Sequence, residues 1–167
     1  MLYRNRISIA RWVLWSILLA AALVLQATVC NRLPVFGAVP VLMPVAVVCI
    51  AMMGSAESGA VVGLIGGLMA YLGGEAPAFV IPLLCFAGAL SGGLCSIYFT
   101  RSLPPALLMA AIALVLCSVP TWALEWYLGR VPLSAAWEIL LPELLYSLLY
   151  TLPLYWLSWR ISLLGRR

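Results

Sequence analysis

Long apolar runs, separated by short breaks rich in proline, glycine or charge, account for most of the 167 residues. The first uncharged run, Trp12 to Cys30, follows Arg4, Arg6 and Arg11. At about 19 residues it makes a helix of roughly 28 Å, which predicts an uncleaved membrane span and not a secretory leader. The second run carries Pro34, Pro40 and Pro44 at its start. Proline is tolerated in the first turn of a helix and costly further in, so this span is expected to begin near Pro40 and to end near Gly54. Gly54-Ser55-Ala56-Glu57-Ser58 then reads as a tight turn in which Ser55 or Ser58 caps the next helix. That pair of spans is short enough to be re-entrant. Glu75-Ala76-Pro77, Arg101 and Pro104-Pro105 mark the later breaks. Six spans are expected, over 12–30, 40–54, 58–74, 79–99, 104–124 and 142–160. A short surface helix over 134–141 is expected to precede the last of them.

Composition turns this pattern into a class. Two thirds of the residues are apolar, 8% are charged and the mean hydropathy is +1.15, which excludes a soluble globular domain. Without water in hydrocarbon to satisfy free backbone groups, spans this apolar must bond internally, so the fold class is an all-α integral membrane protein. The chain has no histidine, lysine or aspartate, so common general bases and metal ligands are scarce. No cofactor and no enzymatic activity are expected. The five cysteines, Cys30, Cys49, Cys85, Cys95 and Cys117, have neither metal-site nor disulfide spacing and read as small buried hydrophobes.

Charge sets the expected orientation. With six spans and a cytoplasmic N-terminus, Arg4, Arg6, Arg11, Arg101, Arg160, Arg166 and Arg167 lie inside, against Arg32 and Arg130 outside. Both termini are then cytoplasmic. The net charge of +4 reflects topology and anionic membrane lipids, not nucleic acid.

Three sets of residues stand out. Gly59, Gly63 and Gly67 fall four apart on one helix face, and Gly88 and Gly92 do the same on the fourth span. Such faces let another backbone approach closely, either within the chain or from a partner's transmembrane helix. Glu143, beside Pro142 at the start of the last span, is an ionisable group at membrane depth, or else a first-turn carboxylate that complements the helix dipole. Gln26, late in the first span, is placed to bond a neighbouring helix or loop.

Leu25-Gln26, the proline-bearing loop from Phe36 to Pro40, the glycine ladder closing in Gly73-Gly74, and the stretch Leu140-Leu141-Pro142-Glu143 through Leu152-Pro153-Leu154-Tyr155 together resemble the rod shape-determining MreD family. The resemblance covers nearly the whole chain through soft motifs. It implies a non-enzymatic, multi-pass scaffold of the bacterial cell membrane that supports peptidoglycan synthesis and cell shape in the elongasome. The implied partners are the bitopic MreC protein and, through it, MreB filaments, RodA and a class B penicillin-binding protein. Two departures bear on any polar site. Family members often carry an acidic or amide residue where this chain has Val41, and an aspartate where it has Ala70.

The chain is also similar to the substrate-binding component of an energy-coupling-factor vitamin transporter, whose six-helix fold the MreD family is thought to share. That alternative needs a ligand pocket near the outer face, for which Trp122, Glu125, Trp126, Tyr127 and Trp137 are candidates, unless they form an interfacial aromatic belt.

Overall fold

The computed structural model describes residues 2–28, 40–97, 102–130 and 136–163, with side chains omitted for 2–8 and 136–139. The Phe36–Pro40 loop up to its last residue, Cys30, Arg32, Arg101, Arg166, Arg167 and the Trp137 side chain lie outside the described residues. The described chain is all-helical: α1 (Leu2–Thr28), α2 (Leu42–Ala51), α3 (Ala56–Leu72), α4 (Val80–Ile97), α5 (Leu103–Tyr127), α6 (Ala136–Leu149) and α7 (Thr151–Leu163). Among the described residues, three stretches, Ile9–Thr28, Val80–Ile97 and Leu103–Tyr127, are long and apolar enough to cross a membrane.

Proline sets several helix starts. Pro44, Pro82, Pro104 with Pro105, and Pro153 each fall within the first three residues of α2, α4, α5 and α7, where a missing N–H loses no intrahelical bond. The same rule divides the last span. Instead of one helix over 142–160, α6 runs through Pro142 to Leu149, Tyr150 forms a turn, and α7 restarts before Pro153. The Pro153 ring would clash with the carbonyl of Leu149, so a continuous helix is broken there. Pro142, expected at a helix start, lies inside α6, which packs against α5. The surface helix and the start of the expected span are therefore one element.

At the centre sits α2. All ten of its residues are buried, and it packs on α1, α3, α4, α5, α6 and α7. At 1.5 Å per residue it is about 15 Å long, half the thickness of a hydrocarbon core. The second expected span is thus built on a short hub helix. The peripheral helices turn apolar residues outward all round, among them Ile17, Leu68, Phe86, Ile112, Leu145 and Trp156. An outer surface of this kind suits lipid and would be penalised in water.

The glycine ladders face one another. Pairs run Gly59 with Gly88, Gly63 with Leu84 and Cys85, and Gly67 with Ile81, so α3 and α4 are antiparallel. A Cβ on Gly59 would land on the Gly88 carbonyl oxygen, and one on Gly88 would land on that of Gly59. Added at Gly63 it would lie 2.8 Å from the Cys85 Cα, at Gly67 2.8 Å from the Ile81 Cα, and at Gly92 2.5 Å from the Ser55 carbonyl oxygen. Helix-on-helix packing inside the chain fills both faces, so neither is open to a partner helix.

Between α2 and α3, Ser55 caps α3. Its hydroxyl accepts from the Ser58 N–H at 3.4 Å, while the Ser58 hydroxyl accepts from the Ser55 N–H at 2.7 Å. Ser55→Ala is expected to lower stability by about 1 kcal/mol, read as a lower midpoint in thermal unfolding of the detergent-purified protein. An unchanged midpoint would show that the Ser58 half of the box suffices. Among the described residues, Cys49, Cys85, Cys95 and Cys117 are not joined in disulfides.

Candidate functional site

A buried α2 has to satisfy the N–H groups of its first turn without water. Val41, its N-cap residue, offers no side-chain acceptor. Remote residues take the role. The Val41 N–H donates to Ser147 Oγ at 2.9 Å, and those of Leu42 and Met43 donate to Gln26 Oε1 at 2.8 and 3.4 Å. The fourth position is Pro44, which has no N–H to satisfy. All four positions are accounted for, by α1 and α6.

The other end of the Gln26 amide reaches the residue just past α3. Its Nε2 donates to Glu75 Oε2 at 3.3 Å. Glu75 is held by the way α3 ends. Gly74 adopts φ +73, the Gly74 N–H bonds the Tyr71 carbonyl and the Glu75 N–H bonds that of Ala70, which is a Schellman motif. The end of α5 repeats it, with Gly129 at φ +70 and the Arg130 N–H on the Glu125 carbonyl. There Arg130 also forms an ion pair with the Glu125 carboxylate at 3.3 Å. The Arg130 side chain is well exposed and that of Glu125 partly so, so the pair contributes little to stability.

Between these ends lies a cavity of about 240 Å³. The α5 face with Cys117, Ser118, Thr121, Trp122 and Glu125 forms one wall. Gln26, Glu75, Glu143 and the start of α2 complete it, together with apolar residues from α3, α4 and α6. Ser118 Oγ donates to Glu143 Oε1 at 2.8 Å, which ties α5 to α6 across the wall. Trp122 stacks on Trp126 with ring centroids 6.4 Å apart and planes 9° apart. The Trp122 Nε1 is buried and finds no partner among the described residues.

Of the residues singled out in the sequence, Gln26 and Glu143 come together here, while Gly59, Gly63, Gly67, Gly88 and Gly92 lie in the α3–α4 contact away from the cavity. Val41 and Ala70, where the family pattern would place polar groups, also line the cavity. Of the aromatic candidates, Trp122 and Glu125 line it, whereas Trp126 and Tyr127 are exposed. Glu75, Ser118 and Ser147 were not anticipated. The Gly-Gly-Glu and Leu-Gly-Arg sequences that end α3 and α5 are the local signal that fixes Glu75 and Glu125; nothing local marks the two serines. No family model, curated protein or solved structure matches this chain.

Proposed function

We propose that this chain is a non-catalytic assembly component of the bacterial cell-elongation machinery, a six-pass protein of the cell membrane with both termini cytoplasmic. Its role is to hold a single-span partner of the MreC type and, through it, to join MreB filaments to RodA and a class B penicillin-binding protein. One observation carries this reading beyond the motifs themselves: residues of the resemblance seat the hub helix. Gln26 and Ser147 cap α2, and the glycine ladder brings α4 against α3. The motif residues thus preserve a rigid bundle, and no catalytic step needs to be assigned to them. Because the glycine faces are filled from within, a partner helix would meet the outward apolar faces.

The test is co-purification from native membranes with a tagged MreC-like protein, with depletion of the chain in a rod-shaped host as the second arm. Recovery of the partner and rounding of the depleted cells are expected. No recovery together with unaltered rods would overturn the proposal. The cavity favours a second reading, the solute-binding component of an energy-coupling-factor transporter. Recovery of an ATPase-bearing transport complex in the same purification would select it.

A further inference from the structure

We infer that α6 is a movable wall of the cavity, pivoting at Tyr150 and latched to α5 by the hydrogen bond between Ser118 and Glu143. Leu140 and Glu143 of α6 close a space whose other walls come from α1 to α5. Among the described residues α6 packs mainly on α5, with smaller contacts to α7 and α2, and has no comparable contact with α3 or α4 across the cavity. Of its described side chains, Leu140 to Leu149, Ser147 alone is buried, whereas every residue of α2 is. Leu141, Leu145 and Leu149 form an exposed outer face.

In lipid, hydrophobic burial does little to hold such a helix, because an apolar side chain moved from protein to lipid stays in a medium of similar polarity. Polar ties therefore carry much of the difference between closed and open. Two side-chain ties join α6 to the bundle: Ser147 Oγ accepts from the Val41 N–H at 2.9 Å, and Ser118 Oγ donates to Glu143 Oε1 at 2.8 Å. They differ in lever arm. Ser147 lies within one turn of Tyr150 and moves little when α6 tilts, so α2 keeps its cap. Glu143 lies about two turns from Tyr150, roughly 10 Å along the helix, where the same tilt pulls it from Ser118 and opens the wall. The pivot is a real interruption of the backbone. Tyr150 is the single residue between α6 and α7, and Pro153, without an N–H, leaves the Leu149 carbonyl without its helical donor. A break of this kind absorbs the change in backbone angles that a hinge requires.

Cys117 reports the motion. It lines the cavity from α5 and is 4% exposed, while Cys49 in α2 is fully buried and lies outside the lining. The protein in nanodiscs is treated with N-ethylmaleimide, and labelling of each cysteine is followed by peptide mass spectrometry. Slow labelling of Cys117 and none of Cys49 is expected for the native chain. Glu143→Leu, which removes the acceptor, should label at Cys117 at least about fivefold faster. Glu143→Gln loses the same charge but keeps an acceptor, and should match the native rate. Pro153→Ala restores a donor for Leu149, and combined with Glu143→Leu it should slow labelling again. Labelling of Cys49 in Glu143→Leu marks that variant as unfolded, and Ser118→Ala, which removes the donor, then takes its place. Equal Cys117 rates in the native and latch-free proteins, or equal acceleration by Glu143→Gln, would overturn the latch. Acceleration that Pro153→Ala leaves unchanged would overturn the hinge. The inference rests on the cavity wall and not on the assembly role, so a failed co-purification leaves it standing and a failed labelling test leaves the assembly role standing.

Discussion

Gly63→Leu is expected to leave no folded monomer. A Cβ at this position would sit 2.8 Å from the Cys85 Cα and closer still to the Leu84 carbonyl oxygen. The obstruction is backbone, so no rotamer change relieves it. Either the two helices separate along the ladder, losing the contacts of Gly59 and Gly67 as well, or α4 unwinds locally. Overpacking against a mobile side chain costs about 1–3 kcal/mol; forcing two backbones apart should cost more, at least about 4 kcal/mol. That is comparable to the whole margin of many natural domains. Size-exclusion chromatography and thermal unfolding in detergent should show aggregated or unfolded protein. Gly93→Ala is the matched control, because its Cβ would meet the Ala56 Cβ at an ordinary 3.4 Å. The control should change stability by less than about 1 kcal/mol. A well-folded Gly63→Leu protein that had lost only its partner would place an intermolecular contact on this face, contrary to the packing described.

Gln26→Leu is expected to have the second largest effect. The side chain is 5% exposed, and its amide bonds α2 at one end and Glu75 at the other. Leucine nearly preserves the volume but leaves the Leu42 and Met43 N–H groups without an acceptor in a water-poor interior. Each unmet donor costs about 1–3 kcal/mol, so a loss of about 2–6 kcal/mol should follow. Gln26→Glu separates the two roles, since a carboxylate still accepts from α2 but cannot donate to Glu75. Its stability should fall between that of the native protein and that of Gln26→Leu. Thermal unfolding of the three proteins under one detergent condition measures this ordering. Equal stability of Gln26→Leu and the native chain would mean that α2 is capped some other way.

Much of this was legible in the sequence, for identifiable reasons. Ser55 at a cap and the prolines at helix starts act through bonds within one turn, so their consequences can be read a few residues at a time. The glycine spacing announced close helix contact for the same reason, although it did not say with what. The hub was hidden. Leu42 to Ala51 is uniformly apolar, and so are the lipid-facing parts of α5. Inside a bilayer a buried apolar side chain and a lipid-exposed one sit in media of similar polarity, so hydropathy does not separate them.

The candidate site shows the same division. Gln26 and Glu143 are conspicuous because a polar group at membrane depth needs a partner, and sequence alone establishes that need. The identity of the partner comes from folding: Gln26 meets Glu75 and the start of α2, Glu143 meets Ser118, and Ser147 reaches Val41 across most of the chain. The amino-acid sequence by itself determined an apolar, helical chain, its punctuation by proline and glycine, and the polar groups that required satisfaction. The tertiary structure decided which helix was central and which polar groups met. These follow from side chains meeting across segments distant in sequence, and no local pattern encodes such meetings.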